Sequence, residues 1–463
     1  MWPTLCAVVL SLCLTAEEWT RFRGPNGSGV SRDSGFPVRF GKANNLAWRT
    51  AVRPGKSSPV LTTTRVFLTG FEQGKLYTQC FHRQTGKLLW ERAEDRARDE
   101  QVNALNHPAA ISPVTDGDNI YSFFKDLGLV SYDSSGHRRW KVLLGPYTVS
   151  MGLGASPILT ADSVIVQADL MQDSFIAGFA RGNGEMKWKT PRQEGESWST
   201  PLLYAPPGLP AQVLTVSRGL FGAHRADTGG RTWNLEGLSP AIVSSPVFDH
   251  NTVFLFGYGN DTPPPFSTRL ERLDRNRDGK LSPDEYGDDP FLRSIARYGG
   301  NRDMIISEDE WDERQSHING HNGVMAIRLE AGGDGTVRPR ELWRTRKSLT
   351  AVIPSPLLYQ GVLYVVRNGG ILLTLDADTG TILKEARIPG AIGGYSSSPV
   401  AADGKVYLAS ETGQVSVLRA GRDWELLAVN DLDEPCFATP ALSQGQIYVR
   451  TGEALYRFES RVQ

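Results

Sequence analysis

The segment Asp274-Arg275-Asn276-Arg277-Asp278-Gly279-Lys280-Leu281-Ser282-Pro283-Asp284-Glu285 spaces oxygen-bearing side chains as a hard cation requires. Asp274, Asn276 and Asp278 offer side-chain oxygens at positions one, three and five, and Glu285 offers a bidentate carboxylate at position twelve. Lys280 contributes its backbone carbonyl, and Ser282 suits a contact through water. Gly279, at position six, supplies the sharp turn. Ca2+ takes six to eight oxygens, so calcium is the cofactor these residues predict.

The pattern fits every constrained position of an EF-hand loop, and the residues from Ser267 to Leu273 read as the helix leading into it. A chance match in an acidic surface loop is the competing reading. EF-hands pair, and aligning Ile306 with Leu281 places the partner loop at 299–310, with Glu310 at position twelve. Gly299 stands where the first acid belongs and Met304 where the turn glycine belongs. This half is therefore expected to keep the pairing contact, and the sequence leaves its calcium binding open. From Phe266 to Glu313 there are 13 acidic and 8 basic side chains, a net of −5 that a bound cation would partly relieve.

The elements that must carry this loop repeat along the chain. A hydroxyl residue followed by proline recurs at Ser58, Ser112, Ser156, Thr200, Ser245, Ser355, Ser398 and Thr439. Most successive prolines are about 41–45 residues apart, whereas the first gap is 54 and the fifth 110, so both are expected to hold insertions. After each step come alternating apolar segments such as Val362-Leu363-Tyr364-Val365-Val366 and Ile371-Leu372-Leu373-Thr374-Leu375, a period that means strands. A turn then ends in glycine with tryptophan four residues on, at Gly86/Trp90, Gly136/Trp140, Gly184/Trp188 and Gly229/Trp233. Lys384 and Trp424 depart from that spacing.

Four short antiparallel strands in about 44 residues make one propeller blade, and a lone blade cannot bury both faces. The eighth unit stops without its outer strand, and Asn45–Thr50 reads as that missing strand, closing an all-β ring of eight blades. The expected organisation is a signal peptide at 1–16, an arm at 17–44, propeller at 45–257, an EF-hand insert at 258–318 and propeller again at 319–463. The turn Asp376-Ala377-Asp378-Thr379-Gly380 and the recurring tryptophans resemble the PQQ-like propeller repeat. The leader Trp19-Thr20-Arg21-Phe22-Arg23-Gly24-Pro25-Asn26-Gly27-Ser28-Gly29-Val30 is similar to that of planctomycete-type secreted members. The resemblance implies either a quinoprotein dehydrogenase or a non-enzymatic scaffold of the BamB type. In the former it implies PQQ stacked on tryptophan in the central channel with a calcium ion, an aspartate base and a vicinal cystine.

No adjacent cysteine pair exists, and the tryptophans sit at positions expected to stack blades. No G-x-S-x-G or H-E-x-x-H motif occurs, and Asn319-Gly320 between His317 and His321 argues for a turn instead of a metal-binding helix face. Sequence alone does not decide whether the chain is an enzyme, and a non-catalytic role is favoured. A formal net charge of −1 gives no field for nucleic acid. The apolar run from Leu5 to Leu14 is too short to span a membrane and suits a secretory signal, though no Lys or Arg precedes it. Cys80 and Cys436 fall in the first and last repeats, as a disulfide or as two buried thiols. The expectation is a secreted or periplasmic, bacterial-envelope monomer. It would bind an unidentified protein or glycan on the face that bears the insert and the charged connection Glu91–Asn106.

Overall fold

The computed structural model describes residues 18–96, 106–147, 149, 151–170, 172–238, 243–257, 265–298, 300–301, 303–312, 323–333, 335–345, 353–391 and 393–460. The signal segment, His317, His321, Gly299 and Arg302 lie outside them.

Eight four-stranded antiparallel sheets account for every named strand. Blade 1 runs Val60–Leu61, Arg65–Glu72, Lys75–His82, Leu88–Asp95; blade 2, Val114–Thr115, Asn119–Phe124, Gly128–Asp133, Arg138–Leu143; blade 3, Ile158–Leu159, Ser163–Ala168, Phe175–Ala180, Met186–Pro191. Blade 4 runs Leu202–Tyr204, Gln212–Ser217, Leu220–Arg225, Arg231–Glu236; blade 5, Val247–Asp249, Thr252–Gly257, Gly323–Ala331, Val337–Arg344; blade 6, Leu357–Tyr359, Val362–Arg367, Ile371–Asp376, Ile382–Arg387. Blade 7 runs Val400–Ala402, Lys405–Ala409, Gln414–Arg419, Glu425–Asp431. Blade 8 takes Ala441–Ser443, Gln446–Arg450 and Ala454–Glu459, and its fourth strand is Leu46–Ala51, paired antiparallel with Ala454–Glu459. The ring is thus tied shut by backbone hydrogen bonds, leaving no open edge at the junction.

The glycine–tryptophan spacing has a direct physical cause. The outer strands alternate, with tryptophan the buried residue of a pattern such as exposed-exposed-buried-exposed in Arg138–Leu143. Five of these indoles cover the glycine turn of the following blade. A Cβ at Gly86, Gly136, Gly184, Gly229 or Gly380 would meet Trp48, Trp90, Trp140, Trp188 or Trp343 at 2.2–2.8 Å. The same indoles donate Nε1–H to the turn they cover, Trp48 to Arg83 O, Trp90 to Ser134 O, Trp140 to Arg181 O and Trp343 to Ala377 O, at 3.0–3.1 Å. Trp188 stacks without that bond, and Trp233 bonds Gln212 of its own blade instead. Where Lys384 replaces tryptophan, its ammonium donates to Trp424 O and lies 4.5 Å from that ring, so a cation supplies both the bond and the cover.

The first long gap is absorbed differently from expectation. Glu91 to Asp95 belongs to an outer strand, and the connection proper falls largely in 97–105, outside the described residues. All three longer strands of blade 1 have eight residues, which takes up part of the excess. Its charges knit sheets together: Glu91 binds Arg53, and Glu94 accepts from Tyr132, Arg138 and Lys141 of blade 2.

Within blade 5 the chain leaves after Thr252–Gly257 and returns at Gly323–Ala331. Between them lie helices α1 (Phe266–Leu273), α2 (Pro283–Tyr286) and α3 (Pro290–Tyr298) and a helical turn at 308–312. They share a separate core of Phe266, Leu281, Tyr286, Leu292, Ile295, Ala296, Ile306 and Trp311. No helix among the described residues is long and apolar enough to cross a membrane.

Candidate functional site

The hydroxyl residues of the repeat meet at the centre of the ring. Each donates its backbone N–H to the side-chain oxygen of its counterpart in the next blade, from Ser58 to Ser112, to Ser156, to Thr200, to Ser245, to Ser355, to Ser398, to Thr439, and from Thr439 back to Ser58. All eight bonds are 2.9–3.2 Å. The inner strands crowd together there, and a buried N–H without a partner costs about 1–3 kcal/mol, so every blade needs an acceptor at this position. Proline next in sequence fixes the backbone that presents it. Because each hydroxyl accepts in this ring, its own hydrogen remains available to a ligand.

The hydroxyls line a cavity of about 270 Å3. Two residues before each, a second ring of Lys56, Ala110, Gly154, Trp198, Val243, Ile353, Ser396 and Phe437 forms the upper wall, with Asn106 and Met151 at the rim. Strands alternate in direction, so second-to-third loops and blade-to-blade connections share a face. The cavity therefore opens on the face from which α1–α3 leave the ring. Lys56 lies 4.2 Å from the Phe437 ring, and burial lowers its pKa against the pull of Glu411. Trp198 corrects the expectation that tryptophans only stack blades: it walls the cavity, with Nε1 bonded to Gly152 O at 2.6 Å.

The opposite end is closed by the N-terminal arm, a function not legible beforehand. Trp19 O accepts from Leu61 N, Thr20 O from Thr115 N, Asn26 Nδ2 donates to Leu203 O, and Gly29 and Ser31 pair with Ala401. Phe22 forms the cavity floor. Arg21 and Arg23 beside it reach Pro201 O and Pro356 O, the carbonyls immediately following two ring hydroxyls.

In the helical segment, backbone amides hold the predicted oxygen ligands in fixed directions. Asp274 Oδ1 accepts from Arg277 N and Oδ2 from Gly279 N; Asn276 Oδ1 accepts from Asp278 N, and Asp278 Oδ1 from Lys280 N. Glu285 returns to the loop, Oε1 accepting from Arg275 N and Oε2 from Ser282 N and Oγ, and these bonds, Ser282 N first, hold its carboxyl below the usual range. The second loop repeats the set: Asp303 N donates to Asn301 Oδ1, Ile305 N to Asp303 Oδ1, and Ser307 N to Glu310 Oε2. Met304 there takes a φ of 68°, the left-handed turn Gly279 makes at 77°. The loops meet in an antiparallel bridge between Leu281 and Ile306. Among the described residues no three His, Cys, Asp or Glu side chains converge as a cluster, so Asp274, Asp278 and Glu285 are aligned by amides without being drawn together.

Other reactive side chains are committed to packing. Buried Asp169 is shared by Arg192, Ser197 and Gln167, and Arg192 also reaches Thr215 and His224. Burial, then Arg192, lowers the His224 pKa to about 4; His107 is likewise lowered to about 4 by burial, Arg450 and Lys56. Cys80 and Cys436 are free buried thiols, each pushed up to about 12 by burial.

A family model described as outer membrane protein assembly factor BamB matches residues 40–147, 79–272 and 335–426, well over half of the chain. No curated protein matches it. Among solved structures, BamB from Moraxella catarrhalis is 11% identical, with 89% of this chain and 100% of that chain covered at a TM-score of 0.54. A europium-containing methanol dehydrogenase is also 11% identical, covering 96% and 99% at 0.60, and the computationally designed Ika8 protein 11%, covering 90% and 100% at 0.53. At such identity the likenesses speak for the fold alone. The eight PQQ-like blades and the extent of the match establish that the chain belongs to the family of outer membrane protein assembly factor BamB.

Proposed function

We propose that this protein is an exported, calcium-binding scaffold that takes a protein or glycan partner on the face bearing both the cavity mouth and the helical segment. Residues 258–318 are an EF-hand pair in this reading. Asp274, Asn276, Asp278, Glu285 and the Lys280 carbonyl hold Ca2+ directly, and Ser282 through water. The observation that supports it is the amide lattice that orients Asp274, Asn276, Asp278 and Glu285, together with the Leu281–Ile306 bridge. Oxygens already oriented by amides need only close in on a hard cation, and repulsion among the three carboxylates falls when the ion enters. The second loop lacks the first acid and serves as the structural partner. Export and an envelope location agree with the match to an outer membrane assembly factor.

Pyrroloquinoline quinone, which the repeat type suggests, fits this cavity poorly. The only ionisable side chain among the described residues lining it is Lys56, and no carboxylate among them can share a metal or take a proton. Trp198 is the one indole in that lining. The test is capture of envelope proteins and glycans on immobilised protein, with and without a chelator and with Glu285→Gln. Calcium-dependent retention of a partner supports the scaffold. Quinone absorbance with dye-linked alcohol oxidation after adding PQQ and calcium would overturn it.

A further inference from the structure

We propose that Arg21 and Arg23, beneath the cavity floor, form a binding site for one small inorganic anion, a halide or a tetrahedral oxyanion, that locks the N-terminal arm under the ring. Arg21 is 7% and Arg23 0% exposed. Neither has a carboxylate partner among the described residues. Their bonds go to neutral oxygens, Arg21 to Pro201 O and Asn26 Oδ1, and Arg23 to Pro356 O and Ser28 O. Arg21 Nε, Arg23 Nε and Arg23 Nη1 are buried with no protein acceptor. The two lie close enough that the charge of Arg21 acts on Arg23. Burial and that charge together lower the pKa of Arg23 to about 9, and burial lowers that of Arg21 to about 10.

Other buried guanidiniums show how this chain ordinarily satisfies such groups. Arg192 has Asp169, and Arg83 places all three nitrogens on oxygens. Arg450 has no acid either, yet both its terminal nitrogens are bonded to carbonyls or a hydroxyl. Among these buried arginines, Arg23 alone leaves an entire terminal nitrogen unbonded, and it does so within reach of a second buried cation, Arg21, that also lacks an acid. Two uncompensated buried cations carry a desolvation penalty that an anion shared between them removes, and planar guanidinium forks suit halides and oxyanions alike. Arg23 sits against Gly29, whose Cβ would approach Nη2 and Nε at 3.0–3.3 Å, so the backbone itself makes room for the fork.

The test uses the full mature chain. Crystals grown with bromide as the only halide should give an anomalous peak between the two guanidiniums. In solution at constant ionic strength, chloride and sulfate titrations should raise Tm with the logarithm of anion concentration; their relative strength tells halide from oxyanion. Arg21→Met, Arg23→Met and the double variant should lose the rise and melt below wild type in chloride. Should the variants not fold, the bromide map decides alone. A bromide map empty at the pair, an unchanged anion response in the variants, or variants that melt above wild type because a naked charge has gone would each overturn the site.

Discussion

Replacing Gly136 by alanine separates the two reasons for glycine at the blade turns. Gly136 has a φ of 84°, and its Cβ would fall 2.7 Å from Trp90 Cδ2 and 2.8 Å from Cγ. Gly74, with a φ of 76°, has nothing within 4 Å of the same position. Both substitutions incur the left-handed backbone cost of about 1–2 kcal/mol. Only Gly136→Ala also drives a methyl group into an indole, one held by its bond to Ser134 O and packed between Phe67 and Tyr132. Overpacking adds about 1–3 kcal/mol, so Gly136→Ala should cost about 2–5 kcal/mol against about 1–2 for Gly74→Ala. Equilibrium urea unfolding of both variants measures the difference, and Trp90→Leu should lower the cost of Gly136→Ala in a double-mutant cycle. Equal destabilisation within about 0.5 kcal/mol, or additivity in the cycle, would refute indole-on-glycine docking as the link between blades.

Thr200→Val keeps side-chain volume but strips Ser156 N–H of its acceptor while Thr200 N–H keeps Ser245; a loss of about 1–3 kcal/mol and faster exchange of the Ser156 amide are expected. Acidification should weaken the ring through His107 and His224, whose folded values near 4 lie below the unfolded value near 6.5. Their contribution is complete above pH 6.5 and falls away toward pH 4, on the order of 2 kcal/mol each by pH 5, and His224→Gln should flatten the slope of urea midpoint against pH. Trp311→Ala removes a residue 1% exposed and packed on Phe266 and Phe291, costing about 3–5 kcal/mol. Since that core is confined to the helical segment, hydrogen exchange should rise in 265–312 and stay unchanged in the blades.

The eight blades were legible because the hydroxyl–proline step recurs in every unit and most units bury a tryptophan on the next unit's glycine, which stamps a fixed spacing on the chain. Trp343 escaped that reading: it follows no glycine at four residues, although it docks on Gly380 as the others do. Ser and Thr before proline served as repeat markers, yet their hydroxyls make the inner ring, and the absence of alanine from all eight positions was the available signal. Glu91–Asp95 read as a connection because charge masked a strand whose side chains pair with Arg53 and blade 2. Arg21, Phe22 and Arg23 gave no hint of closing the cavity, because the partners of both arginines lie in blades 4 and 6, far along the chain.

Calorimetric titration of Ca2+ into the chelator-stripped chain addresses the proposed role most directly. One saturable calcium site, abolished by Glu285→Gln while the blades keep their circular dichroism and thermal transition, is the expected outcome. No binding heat, a site indifferent to Glu285→Gln, or collapse of the whole ring on chelation would contradict it.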